Sequence, residues 1–482
     1  MLVFRIMKNK IIIGCLCISL FFSCEKSFED HNFNPNAVTT EEIIPADLLI
    51  KGTMLANISI NLSHLQRISG MWSGQYRGEI ANYLNLYNYS ITASESNSAW
   101  QYLYNGILKQ NREIAKYYDV NGLDAEGRLI IAISKMIEAN AVGTATAIWG
   151  DIPYSDIDPN DVYHDPKFDK QTDVYAALQN LLDDAITMFQ DTSTLSAGLD
   201  EDIHFGGDKA KWIEVAYTLK ARYYLQTKQY SLAYQNALLG ISAPDNSMKF
   251  FPTTTFGTEN LLYRFGAGGN QGFMSVNNTF CRNLIAIAST NPNTRRNSKT
   301  NEVARRNYLN IDSASGFNSS IRINGERTPM NLVTYQENLL ILAETGARTI
   351  SSSQGLIHLN EVRAFHLTSE SFNRAGTRVY NPYVLADFAP GGIDNQDNIP
   401  QDRALLREII EERYVTGFGT FMPWNDLRRL RATDSDLMVP VPFNNNNISI
   451  YPQRFIPAQS EYNSNPNAPQ GLTIFDPTEI NQ

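Results

Sequence analysis

The chain has 482 residues and a net charge of −10, with 50 Asp and Glu side chains against 40 Lys and Arg. This length is ample for a large hydrophobic core and allows one to three domains. The acidic balance argues against nucleic-acid binding, because neutralising phosphates requires clustered Lys and Arg.

The N-terminus has the pattern of an export signal. Lys8 and Lys10 precede an apolar run over 11–22, and a Ser-Cys pair ending at Cys24 follows. The run makes about 18 Å of helix, too short for a bilayer core of about 30 Å, so we interpret residues 1–23 as a signal peptide. The end of the run resembles a bacterial lipobox, which implies lipid attachment at Cys24. The alternative is an ordinary secretory signal with an incidental cysteine.

The segment that follows Cys24 is polar. We interpret residues 24–40 as a tether that leads into one domain over 24–482. No later segment is predicted to be apolar enough to span a membrane. Cys281 is the only other cysteine outside the signal, so an internal disulfide is not expected in the body of the protein.

Apolar residues at helical spacing predict a mainly α fold. We place the helical scaffold at 41–243 and 330–430. The predicted helices cover 45–68, 94–118, 124–148, 172–189, two helices within 208–241, 330–347, 353–365, 402–414 and 418–430.

One pair of predicted helices resembles a tetratricopeptide unit, because small and large residues alternate from Trp212 to Tyr223 and again from Tyr230 to Ala237. One such unit cannot bury its faces alone. Three further pairs are therefore expected to extend a scaffold of tetratricopeptide-like helical pairs, namely 94–118 with 124–148, 172–189 with 209–226, and 330–347 with 353–365.

Other stretches lack helical spacing. Residues 71–90 are rich in aromatics, Asn and Gly, and predict a loop or edge with exposed rings. Residues 244–329, rich in Gly, Asn and Arg, predict an irregular lobe of short elements packed on the scaffold. Residues 371–400 predict a loop, and the Pro- and Asn-rich residues 431–482 predict an extended C-terminal wrap.

Motifs of catalysis are not found. The sequence has no H-E-x-x-H, no nucleophile elbow, no Walker loop and no dinucleotide fingerprint, so we assign no catalytic residue, cofactor or metal. Residues 394–398 hold oxygen ligands of the kind that Ca²⁺ prefers. They lack the spacing of an EF-hand, and a polar turn is the preferred interpretation.

Several spaced motifs together resemble the SusD/RagB family of nutrient-binding outer-membrane lipoproteins, in its SusD-like branch. The motifs are the lipobox region, Asn34-Pro35-Asn36, Trp149-Gly150-Asp151-Ile152-Pro153-Tyr154, Lys211-Trp212-Ile213 with Leu219-Lys220-Ala221-Arg222, Glu411-Glu412-Arg413-Tyr414, Trp424-Asn425-Asp426-Leu427-Arg428-Arg429, and Arg454-Phe455-Ile456-Pro457 with its Ser460-Glu461 and Asn465-Pro466-Asn467 tail. The segment 289–310 departs from the family pattern, because it is more basic and richer in Asn.

The resemblance implies a surface lipoprotein that captures a glycan, or a peptide, without cleaving it. Its partner would be a SusC-like TonB-dependent transporter in the outer membrane. The acids Glu25, Glu29 and Asp30 resemble the surface-export signals of such lipoproteins, which favours the exterior face. Two rival hypotheses remain, a lipid-anchored glycoside hydrolase and a tetratricopeptide-like scaffold that binds proteins.

Aromatic rings and side-chain amides are the candidate ligand contacts, because a ring stacks on a sugar face while an amide bonds its hydroxyls. The predicted contacts are Trp72, Tyr76, Asn82, Tyr83, Tyr87, Tyr89, Tyr263, Arg264 and Asn270. The alternative is that most of these rings pack in the core.

Trp149, Trp212 and Trp424 occupy helical or helix-end positions and are predicted to be core residues. The arginines of the late motifs are predicted to pair with neighbouring acids at helix junctions. These are Arg413, Arg428 and Arg429 with Glu411, Glu412 and Asp426.

Overall fold

Helices dominate the computed structural model, which describes residues 45–157, 164–196, 198–286, 295–309, 322–372 and 376–482. The predicted signal peptide, Cys24 and the tether lie outside the described residues. The helices are α1 Ala46–Leu62, α2 His64–Trp72, α3 Ala81–Tyr87, α4 Asn97–Leu103, α5 Lys109–Asn121, α6 Ala125–Trp149, α7 Gln171–Gln190, α8 Lys209–Gln226, α9 Tyr230–Ala237, α10 Leu261–Phe265, α11 Phe280–Leu284, α12 Val303–Tyr308, α13 Tyr335–Thr349, α14 Ser352–His366, α15 Gln401–Thr416, α16 Met422–Arg431 and α17 Gln459–Ser464.

Six short strands form three antiparallel pairs in the described part of the chain. They are β1 Arg77–Gly78 with β3 Met274–Ser275, β2 Met248–Phe250 with β5 Met330–Val333, and β4 Thr300–Asn301 with β6 Val379–Tyr380. In register, Gly78 faces Met274, Phe250 faces Met330, and Thr300 faces Tyr380. Each pair joins a segment within or beside the predicted lobe to a distant part of the chain.

The long helices pack in sequence order, α6 on α7, α7 on α8, α8 on α9, α9 on α13 and α13 on α14. Helix α5 also packs on α6. The three predicted helical pairs are therefore in contact, and the mainly α, tetratricopeptide-like fold is confirmed. Local signals set several helix starts. The Asp124 carboxylate accepts a hydrogen bond from Gly127 N at 2.7 Å, and Asp208 caps α8 in the same way.

Helix α6 lies at the centre of the scaffold. It is long and apolar enough to cross a membrane by length and composition, contrary to the sequence expectation, but 83% of its most apolar window is buried inside the fold. Gly143 allows a close approach, because a Cβ there would lie 2.2 Å from the Tyr223 hydroxyl. That hydroxyl donates to Ala139 O at 2.6 Å, so α6 and α8 are held together at this point.

The tryptophans predicted as core are buried, as expected. Each indole N–H also has an acceptor: Trp149 donates to Ser96 Oγ, Trp212 to Asp202 Oδ2, and Trp424 to Pro452 O. These bonds remove the cost of burying an indole N–H.

Two predicted elements differ in the structure. Residues 330–333, expected to begin a helix, form β5, because Met330 and Val333 are buried against β2. Residues 71–90 are not an open loop; they include the end of α2, strand β1 and helix α3. The C-terminal wrap is mostly irregular, as expected, apart from α17, and Phe455 N donates to Ile148 O at 2.8 Å.

The motif arginines are buried at helix junctions. Arg413 Nε lies 2.7 Å from Asp426, and Arg429 forms two bonds to Glu344, at 2.7 and 2.9 Å. Ion pairing with Asp426 is confirmed for these two, because Arg429 also lies 3.1 Å from Asp426. The expected pairing with Glu411 and Glu412 is wrong, since these acids pair with Arg295 and Arg305. Arg428 differs, because it donates to two carbonyls, Ala147 O and Gln453 O, and stacks on Trp424 at 3.7 Å.

The basic segment at 295–305 is tied to α15 by a buried charge cluster, which we call the arginine–glutamate cluster (Arg295, Glu302, Arg305, Glu408 and Glu412). Arg295 lies 2.8 Å from Glu408, 2.6 Å from Glu412 and 3.3 Å from Glu302. Arg305 lies 2.8 Å from Glu412. All five side chains are at most 3% exposed. This part of the departure from the family pattern is therefore structural.

Candidate functional site

The β1–β3 ladder brings two predicted ligand-contact stretches together, 72–89 and 263–270. Arg77 pairs with Ser275, and Glu79 N donates to Phe273 O at 2.9 Å. The Ser275 hydroxyl donates to Glu79 Oε1 at 2.5 Å. Helix α3 therefore lies beside the turn that follows α10, although the two are far apart in sequence.

Tyr83 is the centre of this contact. Its ring lies 4.9 Å from that of Phe265 and 6.4 Å from that of Phe273. Arg67 Nε donates to the Tyr83 hydroxyl at 3.1 Å, and the Arg67 guanidinium lies over the Phe265 ring at 4.6 Å. Tyr83 is only 6% exposed, so it positions α3 against α10 and presents little surface to a ligand.

A histidine–carboxylate pair supports Tyr83 from α2. His64 Nε2 lies 2.5 Å from Glu95 Oε2, and Nδ1 lies 3.3 Å from the Tyr83 hydroxyl. The hydrogen bond from His64 is the main reason why the pKa of Glu95 is lowered. Glu95 is therefore a carboxylate that holds His64, and through it the position of the tyrosine.

The outer side of this arrangement is what we call the candidate surface. It consists of the exposed side chains Ile80, Asn82, Leu84 and Asn85 around α3, the exposed turn at 267–269, the half-buried Tyr263, Arg264 and Asn270, and Phe256. Phe256 is 76% exposed, and the Arg264 guanidinium lies 3.8 Å from the centre of its ring. The surface combines apolar faces with amides and one stacked cation.

Four predicted contacts are buried, so the ligand-contact prediction must be corrected for Trp72, Tyr76, Tyr89 and also for Tyr83, whose contacts are described above. Trp72 is fully buried, stacks on Phe455 at 4.7 Å and donates from Nε1 to Leu86 O at 3.0 Å. Tyr76 is fully buried against Phe418 at 5.0 Å. Tyr89 is 7% exposed, and its hydroxyl accepts from Asn444 N at 2.9 Å. A ligand cannot reach these rings without opening the core.

The other predicted residues lie at the surface to different extents. Asn82 is exposed, while Tyr87, Tyr263, Arg264 and Asn270 are half-buried. The Tyr87 ring is covered in part by Arg77, at 5.7 Å, and Asn270 Nδ2 donates to Phe265 O at 3.2 Å. Their role in ligand binding stays a prediction.

Sequence reasoning missed Phe256 and Arg67. Phe256 is an apolar ring between Thr and Gly residues, in a turn closed by a hydrogen bond from Thr253 N to Thr258 O at 2.9 Å. A large ring flanked by turn-forming residues was a usable signal. Arg67 has no such signal in the sequence, because its role depends on Phe265, and the two side chains come into contact only in the folded protein.

Two surface cavities, of about 510 and about 650 Å³, occur elsewhere among the described residues. The first is lined in part by Asp394, Arg407 and Glu411, and the second by Gln179, Tyr224 and Lys228. Neither is lined by a residue of the candidate surface. In the described ranges no group of three or more His, Cys, Asp or Glu is arranged to hold a metal ion.

The five residues proposed as oxygen ligands for Ca²⁺ have protein partners. Asn395 Nδ2 donates to Phe388 O and Ile399 O, both at 2.8 Å, which closes a turn. Asp397 pairs with Arg407 at 2.6 Å. The preferred interpretation of 394–398 as a polar turn agrees with these contacts.

Comparison with known proteins places the fold. A SusD-like family model, described as starch-binding and associating with the outer membrane, matches residues 35–456. The structure is similar to that of a SusD/RagB family protein from Bacteroides thetaiotaomicron, with a TM-score of 0.66 and 16% identity over 91% of this chain and 99% of that one. No curated protein matches the sequence.

Two further solved structures share the fold. A SusD-like protein from Bacteroides thetaiotaomicron has a TM-score of 0.63 and 18% identity, over 87% of this chain and 93% of its own. A chitin-binding SusD homolog from Flavobacterium johnsoniae has a TM-score of 0.60 and 17% identity, over 86% and 93%. Because the family model covers most of the chain, the protein belongs to the SusD-like family.

Proposed function

We propose that the protein is a cell-surface lipoprotein that binds a glycan and delivers it to a SusC-like TonB-dependent transporter in the outer membrane. The observation that carries this proposal is the family match over residues 35–456. The chitin-binding homolog of the same fold supports a glycan as the ligand. Capture and delivery need no bond cleavage, so the proposed function is not enzymatic.

The candidate surface is the proposed capture site. An exposed ring such as Phe256 can stack on the apolar face of a sugar, and the amides of Asn82, Asn85 and Asn270 can bond its hydroxyls. The Tyr83–Phe265–Arg67 contacts underneath hold the two halves of the surface together. A pre-formed surface lowers the entropy cost of binding.

Attachment to the membrane would come from a lipid on Cys24, with the body on the outer face of the cell. Cys24→Ala should release the protein from the outer membrane into the soluble fraction. Persistent membrane attachment of this variant would contradict the anchor. The same fractionation tests the transporter, because a β-barrel partner should co-purify with the wild-type protein. Co-purification of a soluble protein instead would favour the scaffold hypothesis.

Glycan capture is tested with purified protein and a panel of neutral and anionic oligosaccharides that includes maltohexaose and chitohexaose. We expect retention of at least one sugar in an affinity gel, with no new products on chromatography. Phe256→Ala should lose this retention, because the variant lacks the stacking ring. Tyr102→Ala is the matched control, since it removes another exposed ring, 41% exposed, from α4. Sugar cleavage would instead support a glycoside hydrolase.

A further inference from the structure

The charges of this acidic chain are unevenly distributed. Residues 244–329 hold ten Lys and Arg but only five Asp and Glu, a net charge of +5, whereas the whole chain carries −10. Such a local excess of one sign raises the concentration of opposite charges near it. The segment 244–329, which contributes Phe256, Tyr263, Arg264 and Asn270 to the candidate surface, is therefore electrostatically distinct from the chain as a whole.

Part of this positive charge is neutralised inside the fold. Arg295 and Arg305 belong to the arginine–glutamate cluster, and Lys299 Nζ lies 2.7 Å from Asp387. These three cations have a structural role and account for part of the excess. Without them and Glu302 the segment still holds seven Lys and Arg against four Asp and Glu, a net charge of +3.

Four other arginines of the segment have no such partner. Within the described ranges of the chain, no carboxylate lies within 4.0 Å of Arg264, Arg306, Arg322 or Arg327. The positive charge of these four side chains is therefore not compensated by an ion pair in that part of the chain, and it remains available to an anionic ligand where the guanidinium is accessible.

Three of the four arginines are carried by two segments that are tied together. Asn260, at the start of α10, donates from Nδ2 to Ile323 O at 3.0 Å and to Thr328 O at 2.8 Å. Its backbone N donates to Glu326 O at 2.9 Å. Arg264 lies one turn along α10, and Arg322 and Arg327 lie on the tied turn.

Arg264 is the member that belongs to the candidate surface. Its guanidinium carbon lies over the exposed Phe256 ring, 3.8 Å from the ring centre. Stacking occupies the face of the guanidinium and leaves its in-plane N–H donors available, and this fork matches a carboxylate or sulfate in a bidentate geometry. One side-chain pair thus offers an apolar face and an anion site together.

We propose that the glycan captured at the candidate surface is anionic, bearing carboxylate or sulfate groups, and that Arg264 binds one of these groups beside Phe256. This inference rests on the proposed glycan-binding function and adds the chemical class of the ligand. Neutral sugars would use the ring and the amides alone, and would leave the arginines of the segment without anionic partners.

The test is calorimetric titration of the full mature protein with four hexasaccharides. Two are anionic, an oligogalacturonate and a chondroitin sulfate, and two are neutral, maltohexaose and chitohexaose. We expect at least one anionic sugar to bind about 10-fold or more tightly than the neutral ones at about 50 mM NaCl, and this preference to weaken at about 300 mM, because salt screens exposed charges.

Arg264→Gln should reduce affinity for the anionic sugar by about 10- to 100-fold, the range for one hydrogen-bonded charged group. Arg264→Lys should retain part of it, because the charge remains without the fork. The matched control is Arg128→Gln on α6, which removes an equal charge whose guanidinium donates to a backbone carbonyl, Leu123 O, at 3.2 Å. An unchanged thermal midpoint in all three variants shows that each is folded.

The outcomes separate the two proposals. Equal binding of neutral and anionic sugars, unaffected by Arg264→Gln, overturns the anionic ligand and leaves glycan capture standing. Anionic binding that survives Arg264→Gln overturns the assignment of Arg264. Binding of none of the four sugars, when the protein is folded, counts against glycan capture itself and against this inference with it.

Discussion

Replacing Arg295 by Met should strongly destabilise the protein. Arg295 is 1% exposed and is the close cationic partner of Glu408, whose next guanidinium, that of Arg363, lies 3.9 Å away. Glu412 would keep Arg305 and His366, each at 2.8 Å. The variant therefore strands one buried carboxylate, and removing one member of a buried ion pair costs about 3–5 kcal/mol.

This cost translates into a modest thermal shift, because the protein is large. An unfolding entropy of about 2.1 cal/mol/K per residue over roughly 440 residues is about 0.9 kcal/mol/K. The thermal midpoint should therefore fall by about 3–5 °C, measured by circular dichroism and checked by urea unfolding. Arg327→Met removes an equal charge from an exposed site and should change stability by less than about 0.5 kcal/mol.

Two further observations would show that the unpaired Glu408 carboxylate causes the loss of stability. Adding Glu408→Gln to Arg295→Met should restore part of the lost stability, because a neutral amide needs no counter-charge. Burial raises the pKa of Glu408, and Arg295 opposes that shift. Without Arg295 the Glu408 carboxyl should therefore take up a proton more readily. The loss of stability in Arg295→Met should then be smaller at acid pH than at neutral pH. Equal midpoints for Arg295→Met and Arg327→Met would refute the reasoning.

Three other predictions concern the core and pH. Trp72→Ala should cost about 3–5 kcal/mol in urea unfolding, because the ring is fully buried; a loss under about 1 kcal/mol would show that the site relaxes. Burial lowers the pKa of His366, with Glu412 opposing, so the folded state disfavours the charged imidazole and stability should fall as pH drops below about 6.5. His366→Gln should flatten this decline. Burial raises the pKa of Glu411 to about 7, so the folded state binds this proton more readily than the unfolded state. The effect of Glu411 on the pH dependence is therefore opposite to that of His366, and it adds stability as pH falls from about 7 towards 4. Glu411→Gln should lose that gain, and a variant with the wild-type pH profile would contradict it.

Local signals predicted the long helices well. Helices α6 and α8 begin within a residue or two of their expected starts, because Asp124 and Asp208 cap them and capping depends on only the next three residues. The family motifs predicted the fold correctly, since the match over residues 35–456 confirms the SusD-like family. A helix cap and a sequence motif each consist of residues that are close together in the sequence, so both can be recognised without the structure.

Long-range contacts caused the errors. Residues 330–333 have apolar spacing that suits a helix, but pairing with β2 decides for a strand. The composition of residues 71–90 predicts an exposed Trp72, yet the ring is buried and stacks on Phe455 of the C-terminal wrap. Tertiary packing overrides local propensity in such cases.

The candidate site was predicted in part for the same reason. Asn82, Arg264 and Asn270 were found from residue type and do lie on the candidate surface, and Tyr263 lies half-buried beside them. Phe256 and Arg67 were missed, because the importance of each depends on a stacking partner, Arg264 for one and Phe265 for the other. The sequence shows the chemical type of each side chain, but it does not show which side chains come into contact in the folded protein.

The arginine–glutamate cluster has a consequence for redesign. A natural way to change ligand preference is to exchange the segment 244–329 between relatives. Here such an exchange would separate Arg295 and Arg305 from Glu408 and Glu412, which lie beyond the segment on α15. A chimera that imports a segment without these arginines would bury the acids of α15 without cations, and should express poorly. The imported segment and α15 must therefore come from the same relative, or be changed together.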